Sequence, residues 1–326
     1  MSLDISVIIP AFNIENYIAE ALESALRQNP PFAKIIIVDD GSTDDTQKII
    51  KKYNDPRIQY HYQENQGLGP ARNAGIELAK TEYIYFMDGD DILESGMTQH
   101  IQEQIDSTPC QLDAILFSAI DFDHDTGTIS PFSVYYERKR PGVYDSGRDA
   151  LFWSLRKKNN PAPVWLYVFK KSILKKQPQL KFLNILHEDE IFTPDLLLRC
   201  GTTTISNKVL YRRRVRSGSI MTSVASIRNV HGSLMVARYW LDRTSATSDK
   251  ESHSYFLQAH AFYCKAILYA LRAKIEINEL KKAASETTPE FIHYIEFDYK
   301  IGKISRRIAY ELGLARSHII SFLANH

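Results

Sequence analysis

The sequence predicts an α/β protein built on a parallel sheet, with a helical region towards its carboxyl terminus. Strand-like and helix-like segments alternate through the first third of the 326 residues, which is the pattern of βαβ units. Polar residues follow several of the predicted strands, where parallel sheets bind their ligands. After residue 221 the only proline is Pro289, and no glycine lies between Gly232 and Gly302, which favours long helices.

Short apolar or alternating runs predict four strands in the first third. They are ISVIIP (5–10), KIIIVDD (34–40), RIQYHY (57–62) and YIYFM (83–87). Between them, NYIAEALESALRQ repeats its apolar residues at helical spacing, and GSTDDT offers Ser42 or Thr43 as a helix cap. A third helix is expected in GPARNAGIELAK, after Gly69 and Pro70.

The later regions alternate less regularly and end in a helix-rich segment. Residues 113–137 resemble a hairpin that turns near residues 125–127. An apolar stripe predicts a last helix over about residues 303–324, with Ile304, Ile308, Leu312, Ala315, Ile319 and Phe322 as its members. We therefore predict a first domain over residues 1–220, with halves 1–95 and 96–220, and a helical subdomain over residues 221–326.

Composition and charge argue against several classes of protein. The chain is 44% hydrophobic and 24% charged, like ordinary globular domains, and its net charge of +1 would not recruit nucleic acid. Cys110, Cys200 and Cys264 show no CxxC spacing, which argues against a zinc site or a disulfide framework and suits a reducing cytosol. The start MSLDISVIIP lacks a basic region, so we expect no signal peptide, and no apolar run is long enough to span a membrane.

The stretch YIYFMDGDDIL (83–93) runs from a buried-strand pattern straight into three carboxylates. In extended backbone Asp88 and Asp90 project to the same side, because side chains alternate along a strand. Like charges this close raise at least one pKa unless a cation shares them. Mg²⁺ and Mn²⁺ prefer such oxygen ligands, with substrate phosphates completing the site. The alternative that the residues leave open is a solvated acidic loop.

Four motifs at predicted strand ends occur in a fixed order. They are SVIIPAFNIENYI, VDDGSTDDT, ENQGLGPARNAGI and FMDGDDIL. Together they resemble the nucleotide-binding half of family 2 glycosyltransferases, which are inverting enzymes of the GT-A fold. The resemblance covers residues 5–95 closely and continues more thinly through PVWLYVFKKSIL, HEDEIF and YRRRVRSGSI, which resemble the acceptor half. It implies a Rossmann-like nucleotide-diphospho-sugar transferase fold, a mixed sheet flanked by helices.

The resemblance implies a nucleoside site after the first three strands. In the family, Asp40 corresponds to the carboxylate that accepts from the imide N–H of the base, which suits uracil. Gly67 would let the backbone approach the nucleotide. A helix-terminal charge pair is the other explanation for Asp39 and Asp40. The residues expected to cup base and ribose are Pro10, Phe12, Asn13 and Glu15.

The resemblance places the metal and the diphosphate at the acidic stretch. Asp90 is the main expected ligand of Mn²⁺ or Mg²⁺, and Asp88 is expected near both the ribose and the metal. Arg72 could pair with phosphate or with the acidic loop. Arg216 belongs to a basic cluster that either closes over the diphosphate or is a solvated strand end.

The acceptor half supplies the expected catalytic base. In the family, the Asp of the Glu-Asp pair in HEDE is the general base, so Asp189 inherits that role; acidic residues in a first helical turn are the simpler explanation. Trp165 and Tyr167 lie on a strand-like run. Trp165 is expected either to stack on the acceptor sugar or to belong to the core.

The sequence therefore predicts a metal-dependent inverting glycosyltransferase that moves a sugar from a nucleotide-sugar, a UDP-sugar above all, to a glycan or glycolipid hydroxyl. Two alternatives stay open: a non-catalytic nucleotide-sugar-binding protein, and a glycoside hydrolase with a pair of carboxylates. The resemblance suggests a cytoplasmic bacterial enzyme of polysaccharide synthesis. The last helix is expected to pack through its apolar stripe on the body of the protein or on a second subunit. Lys303, Arg306, Arg307 and Arg316 leave room for peripheral contact with the inner face of the membrane as the other alternative.

Overall fold

The computed structural model of the protein describes residues 3–129, 136–156, 162–216, 224–244, 249–295 and 298–299. Within them the strands are β1 (Leu3–Ala11), β2 (Phe32–Asp39), β3 (Ile58–Tyr62), β4 (Tyr83–Phe86), β5 (Ile92–Leu93), β6 (Ala114–Asp123), β7 (Gly142–Tyr144), β8 (Tyr167–Lys170) and β9 (Thr203–Val215). The helices are α1 (Ile18–Leu26), α2 (Thr46–Ile50), α3 (Leu68–Leu78), α4 (Met97–Ser107), α5 (Gly147–Arg156), α6 (Asp189–Arg199), α7 (Ile227–Thr244), α8 (Asp249–Arg272) and α9 (Ile277–Thr287).

The strands of the described residues form one mixed sheet in the order β3-β2-β1-β4-β8-β6-β9-β5, and β7 also pairs with β9. The first four strands in this order are parallel, whereas β8 runs antiparallel to both β4 and β6. β6 and β9 are parallel to each other. The structure thus confirms the predicted α/β fold with a mixed sheet flanked by helices.

The parallel half of the sheet is held together by apolar side chains from both sides. The β-branched residues of β1 and β2 are buried almost without exception, as expected for parallel strands covered by helices. Helix α1 buries Ile18, Ala21, Leu22 and Ala25, which recur at helical spacing. Burying an isoleucine or leucine completely stabilises the fold by about 1.5–3 kcal/mol. The apolar pattern of the first third is therefore the pattern of its core.

Helix α2 begins at Thr46, later than expected from Ser42 or Thr43 as the predicted cap residue. Ser42 and Thr43 do not cap it, because the residue at the cap position is Asp45. Their backbone N–H groups donate instead to Asp39 Oδ1 at 2.8 Å and to Asn13 Oδ1 at 2.8 Å. The helix is reduced to Thr46–Ile50. Residues 40–45 thereby form a loop that is fixed to the end of β2 and to the loop after β1.

The register of the parallel strands brings their carboxyl ends to one edge. Ala11 pairs with Asp39, and Asp39 pairs with Tyr62, so β1, β2 and β3 end in one row across the sheet. β4 lies on the other side of β1, with Phe86 opposite Ile8. The loops that follow these four strands therefore share the edge where such sheets bind ligands.

The described residues divide into two compact units, one within residues 1–184 and 192–219 and the other within residues 185–191 and 220–326. In the second unit α7 and α8 pack together through Trp240 and Tyr255, whose ring centroids are 5.2 Å apart. The expected division into domains at residue 220 stays a prediction, because a compact unit need not fold by itself.

Two expectations reach beyond the described residues. The chain turns after Asp123, and Phe122 bridges to Ile129 in antiparallel fashion, but the rest of the hairpin expected over residues 113–137 includes residues 130–135, which lie outside the described ranges. The last helix, expected over about 303–324, lies wholly outside it. No helix of the described ranges combines the length and the apolar character needed to cross a bilayer.

Candidate functional site

The acidic segment after β4 forms a tight turn at the carboxyl edge of the sheet. Met87 extends the pairing with β1 through its N–H, which donates to the Ile8 carbonyl at 3.0 Å, and Asp91 N–H then donates to the Asp88 carbonyl at 3.1 Å. A Cβ at Gly89 would come within 3.0 Å of the Pro10 carbonyl oxygen. The turn therefore lies directly against the loop that follows β1.

Each carboxylate of this turn has its own partner. The Arg72 guanidinium, held on α3, lies 3.0 Å from Asp88 Oδ1. Arg216 lies 2.8 Å from Asp90 Oδ2. Of the two partners expected for Arg72, the structure shows the acidic loop, and pairing with a phosphate stays a prediction.

Asp91 is the buried member of the turn. Its carboxylate accepts from the Tyr211 hydroxyl at 2.6 Å and from the Arg214 N–H at 2.7 Å, both on β9. Burial raises its pKa well above the usual range, and the charges of Asp90 and Asp88 add to that effect. Asp91 thus ties the acidic turn to the sheet.

Asp90 combines partial burial with a nearby like charge. Its pKa is raised by burial first and by Asp88 second, while Arg216 lowers it. This is the situation expected from the sequence, in which a cation near the pair relieves the repulsion. In the structure the cation is a guanidinium, and a divalent ion carries out the same function in many phosphate sites.

The donor set fits Mg²⁺ or Mn²⁺ only as a partial coordination shell. Asp88 and Asp90 offer hard carboxylate oxygens, and each has one oxygen not engaged by the ion pairs described above. Within the described ranges, no three His, Cys, Asp or Glu side chains converge as a metal-binding group. A metal held here would therefore need phosphate oxygens and water as further ligands, the usual arrangement for Mg²⁺ with nucleotides.

The second acidic pair, Asp39 and Asp40, accepts hydrogen bonds from neutral groups instead of forming ion pairs. Asp39 accepts from the Ser42 N–H and from the Tyr60 hydroxyl, the latter at 2.7 Å. This contact and burial raise the pKa of Tyr60 to about 12, burial being the larger cause. All of these donors are neutral groups, in contrast to the arginines around the β4 turn.

Asp40 organises the loop that leads into α3. It accepts from Gln63 Nε2 at 2.7 Å, from the Gln66 N–H at 2.9 Å and from the Gly67 N–H at 2.8 Å. Gly67 has φ +98°, a conformation that favours glycine. The side chain of Asp40 is thus at the predicted edge, but it already holds three hydrogen bonds of the fold.

The predicted nucleoside residues after β1 lie beside these loops. Asn13, with φ 50°, donates its N–H to Ser42 Oγ at 3.1 Å. Glu15 accepts from the Asp45 N–H at 2.8 Å. Phe12 is 46% exposed, whereas Pro10 is buried within β1. Phe12 therefore offers an apolar surface to a ligand, and Asn13 and Glu15 join two loops.

Most of the basic cluster at the end of β9, which consists of Arg212, Arg213, Arg214 and Arg216, serves the sheet itself. Arg213 forms two contacts with Asp121, at 2.7 and 3.2 Å, and Arg212 pairs with Glu94. Arg214 donates from Nε to the Asp90 carbonyl at 2.7 Å. Only Arg216, among these four, pairs with a carboxylate that was predicted to bind metal.

Trp165 lies in a single 3-10 turn, Val164–Leu166, and not on the strand predicted for it. Its ring stacks on Tyr211 with centroids 4.6 Å apart, and Tyr136 meets it edge-on at 4.9 Å. The residue is only 6% exposed. This is the packing of a core aromatic, and contact with an acceptor sugar stays a prediction.

The HEDE segment belongs to the second unit. Asp189 is the first residue of α6 and is partly exposed together with Glu190, whereas Glu188 is buried. His187 has φ 68°, and its ring stacks on Tyr269 with centroids 5.7 Å apart. Burial lowers the pKa of His187 to about 3, with a smaller contribution from Lys265. The catalytic role of Asp189 stays a prediction.

Two residues of this region, Gln63 and Tyr211, were missed by reasoning from the sequence, and Arg214 was expected only as a member of the basic cluster. Gln63 directly precedes a motif that carried the resemblance, ENQGLGPARNAGI, so its position was a usable signal. Tyr211 and Arg214 reach the acidic turn from a distance of more than 100 residues in the chain. No local pattern indicates such contacts.

Comparison with known proteins identifies the family. Residues 6–161 match the family model described as glycosyl transferase family 2. Glycosyltransferase GlyG of Streptococcus pneumoniae is 30% identical over 236 residues, which cover 68% of this chain and 74% of that protein. The chain therefore belongs to the family 2 glycosyltransferases.

Other relatives agree with this placement, and a solved structure shares the fold. Glycosyltransferase GlyA of Streptococcus pneumoniae is 31% identical, over 66% of this chain but only 31% of that protein, and the uncharacterized glycosyltransferase YibD of Escherichia coli is 29% identical, over 66% of this chain and 62% of that protein. S. aureus TarS 1-349, solved in complex with UDP-GlcNAc, has 21% identity and a TM-score of 0.68, with coverage of 96% of this chain and 92% of that chain. The predicted GT-A fold is thereby confirmed.

Proposed function

We propose that this protein transfers a sugar from a UDP-sugar to a hydroxyl of a glycan or glycolipid. The observation that carries the proposal is the shared edge of the sheet, which holds both the loop fixed by Asp40 and the carboxylates of Asp88 and Asp90. A nucleoside needs neutral hydrogen-bonding groups, and a diphosphate needs cations. The UDP-GlcNAc bound to TarS, which shares the fold, supports a nucleotide-sugar as the donor.

The nucleoside is assigned to the loops after β1, β2 and β3. Phe12 would cover the base with its exposed ring, and Asp40 and Gly67 would fix the loop on the other side. Asn13 and Glu15 already connect the loops after β1 and β2. Nucleotide binding would therefore require little rearrangement of these loops.

The diphosphate is assigned to the acidic turn and its arginines. A bound Mg²⁺ or Mn²⁺, held by Asp90 and Asp88, would act as a Lewis acid on the leaving diphosphate. Arg216 would then leave Asp90 for a phosphate oxygen, because a guanidinium pairs with either anion. Arg72 would stay paired with Asp88 and so limit the combined negative charge of Asp88 and Asp90.

Asp189 is proposed as the base of an inverting transfer. The acceptor oxygen would attack the anomeric carbon as the bond from that carbon to the diphosphate oxygen breaks, and the acceptor proton would pass to the Asp189 carboxylate. A positioned base contributes about 10² to 10⁴-fold to such a step. The family membership supports this role, since Asp189 lies in the Glu-Asp pair that resembles the family's catalytic motif.

The acceptor, a bacterial surface glycan or a lipid-linked glycan, is proposed from the resemblance. A cytoplasmic location at the inner face of the membrane would suit such an acceptor. Contact with the membrane or with a second subunit through residues 303–324 stays a prediction outside the described ranges.

Calorimetry with UDP and GDP, each with and without Mn²⁺, tests the donor class. We expect the protein to bind UDP in the presence of Mn²⁺ and to bind GDP more weakly. Asp90→Asn should abolish the Mn²⁺-dependent part, while Asp106→Asn on the exposed face of α4 should not. A protein that binds neither nucleotide, or an Asp90→Asn variant that binds like the wild type, would contradict this site.

A further inference from the structure

The segment that leads into Asp189 packs against helices that are distant from it in the chain. Residues 185–191 belong to the same compact unit as residues 220–326, although residues 192–219 between them belong to the other unit. Within the shared unit, Gly232 on α7 and Tyr269 on α8 contact this segment at two successive residues, Leu186 and His187. The residue proposed as the base therefore follows a segment that α7 and α8 hold.

Gly232 allows the backbone of the segment to come close to α7. The residue is buried within the helix, and a Cβ at this position would lie 2.2 Å from the Leu186 carbonyl oxygen and 3.1 Å from the carbonyl carbon. Glycine inside a helix is less favourable than alanine, so helix formation does not explain the residue. The close approach of the Leu186 carbonyl does.

Tyr269 holds the next residue of the segment. Its ring stacks on the His187 ring with centroids 5.7 Å apart and an angle of 19° between the planes. The buried Nε2 of His187 bonds to no group among the described residues, so packing holds this part of the ring. His187 also has φ 68°, and such a backbone conformation in a residue other than glycine persists only where the surroundings fix it.

The first turn of α6 is built directly on the held residues. The His187 carbonyl accepts from the Glu190 N–H at 3.1 Å, and the Glu188 carbonyl accepts from the Ile191 N–H at 3.4 Å. Asp189 is the first residue of this helix, so a shift of the backbone at His187 would move its carboxylate. A misplacement of about 1 Å can slow a reaction between aligned groups by about 10²-fold.

We propose that Gly232 and Tyr269 are positioning residues of the sugar transfer, which fix the backbone at residues 186–187 and thereby the carboxylate of Asp189. The helical unit would then hold the base, whereas the loops assigned to the nucleotide are held within the other unit. This inference rests on the proposed role of Asp189 and does not depend on how the donor is bound.

The test displaces each contact separately. Gly232→Ala forces the Leu186 carbonyl oxygen from 2.2 Å to the 3.0 Å that real Cβ atoms keep. Tyr269→Leu removes the stacked ring, and Tyr269→Phe, the conservative variant, keeps it. One control is Ser233→Ala, which removes a buried hydroxyl of α7 that has no hydrogen-bond partner in the structure. The other is Tyr255→Leu, which removes a buried ring from α8 about 21 Å along the helix from Tyr269.

Three measurements separate chemistry, binding and local order. Release of UDP from UDP-GlcNAc and from UDP-glucose, with water as the acceptor, gives kcat and KM, and Asp189→Asn sets the lower limit of this assay. Calorimetry with UDP in Mn²⁺ gives the nucleotide affinity. Amide hydrogen exchange reports on the hydrogen bonds of Glu190 and Ile191, and the unfolding temperature reports on stability.

We expect Gly232→Ala and Tyr269→Leu to lower kcat by about ten- to 10²-fold while KM and UDP affinity stay within about threefold of the wild type. The amides of Glu190 and Ile191 should exchange at least about tenfold faster in both variants. Tyr269→Phe and the two control variants should keep kcat within about threefold, even where Tyr255→Leu lowers the unfolding temperature.

Two results would overturn the inference and leave the donor class intact. One is a folded Gly232→Ala or Tyr269→Leu with the wild-type kcat. The other is a Tyr255→Leu that loses as much kcat as Tyr269→Leu, which would mean that stability and not position matters. A wild type that releases no UDP, or an Asp189→Asn that releases it at the wild-type rate, would contradict the proposed function itself. Hydrogen exchange would then decide alone, with unchanged exchange in both variants counting against the inference and faster exchange supporting it.

Discussion

The two acidic pairs at the carboxyl edge of the sheet have the same charge but opposite surroundings. Asp39 and Asp40 receive only neutral donors, which are backbone N–H groups, a tyrosine hydroxyl and a carboxamide. Asp88 and Asp90 face guanidinium groups. Neutral donors fix a loop permanently, whereas a cation can be exchanged for another cation. The first pair is therefore suited to shape a site and the second to exchange ions.

The proton transfer is proposed for Asp189, which belongs to neither pair. The largest expected effect tests whether this chemical step is separate from nucleotide and metal binding. Asp189→Asn keeps the shape of the side chain but removes the proton acceptor, so turnover should fall by about 10² to 10⁴-fold while UDP and Mn²⁺ affinities persist. Transfer rates and calorimetry measure the two properties separately. Glu188→Gln and Glu190→Gln are the matched variants.

A near-wild-type rate for Asp189→Asn, or retention of the donor's anomeric configuration in the product, would contradict the inverting mechanism through Asp189. Normal UDP binding with no transfer by the wild type to any glycan would instead favour a nucleotide-sugar-binding protein.

Removal of the Asp40 carboxylate, from the acidic pair that receives neutral hydrogen-bond donors, should weaken nucleotide binding. Asp40→Ala removes charge-assisted hydrogen bonds worth roughly 1.5–3 kcal/mol, so UDP affinity should fall by about ten- to 150-fold. Calorimetry in Mn²⁺ measures the loss. Asp45→Ala, in the same loop and exposed, is the control. An Asp40→Ala protein with unchanged UDP affinity would leave Asp40 with a purely structural role.

The acidic turn itself should divide into a structural carboxylate and a ligand-binding one. Asp91→Ala leaves the Arg214 N–H and the Tyr211 hydroxyl without their acceptor in a buried place. The free energy of unfolding should therefore fall by about 1–3 kcal/mol. Asp90→Ala should lose Mn²⁺-dependent UDP binding with a smaller change in stability. Urea unfolding of both variants tests this, and equal destabilisation would remove the distinction.

The smallest expected effect concerns the exchange of cations at Asp90. In Arg216→Met the guanidinium no longer competes for Asp90, so the nucleotide-free protein should bind Mn²⁺ a few-fold more tightly, in keeping with about 1 kcal/mol for a partly exposed ion pair. Electron paramagnetic resonance of free Mn²⁺ measures this directly. Arg212→Met, which loses only the pair with Glu94, is the control. Weaker Mn²⁺ binding by Arg216→Met would show that the arginine does not compete with the metal.

Much of the parallel half could be predicted, because its signals are local. Apolar periodicity located β1 to β4 and α1, and the motifs at the strand ends pointed to the edge where Asp40, Asp88 and Asp90 lie. The same local signals wrongly placed Trp165 on a strand. A short apolar run has the same sequence pattern whether it forms a strand or a turn buried against aromatic rings.

What the sequence by itself determined is the kind of fold and the family, and it named the carboxylates of the candidate site, because side-chain periodicity and motif order are properties of neighbouring residues. The tertiary structure alone decided which donor faces which carboxylate. Gln63 meets Asp40 across 23 residues and Arg216 meets Asp90 across 126. Hydrogen bonds and ion pairs form only within about 3–4 Å, and only the packed sheet brings such distant residues that close.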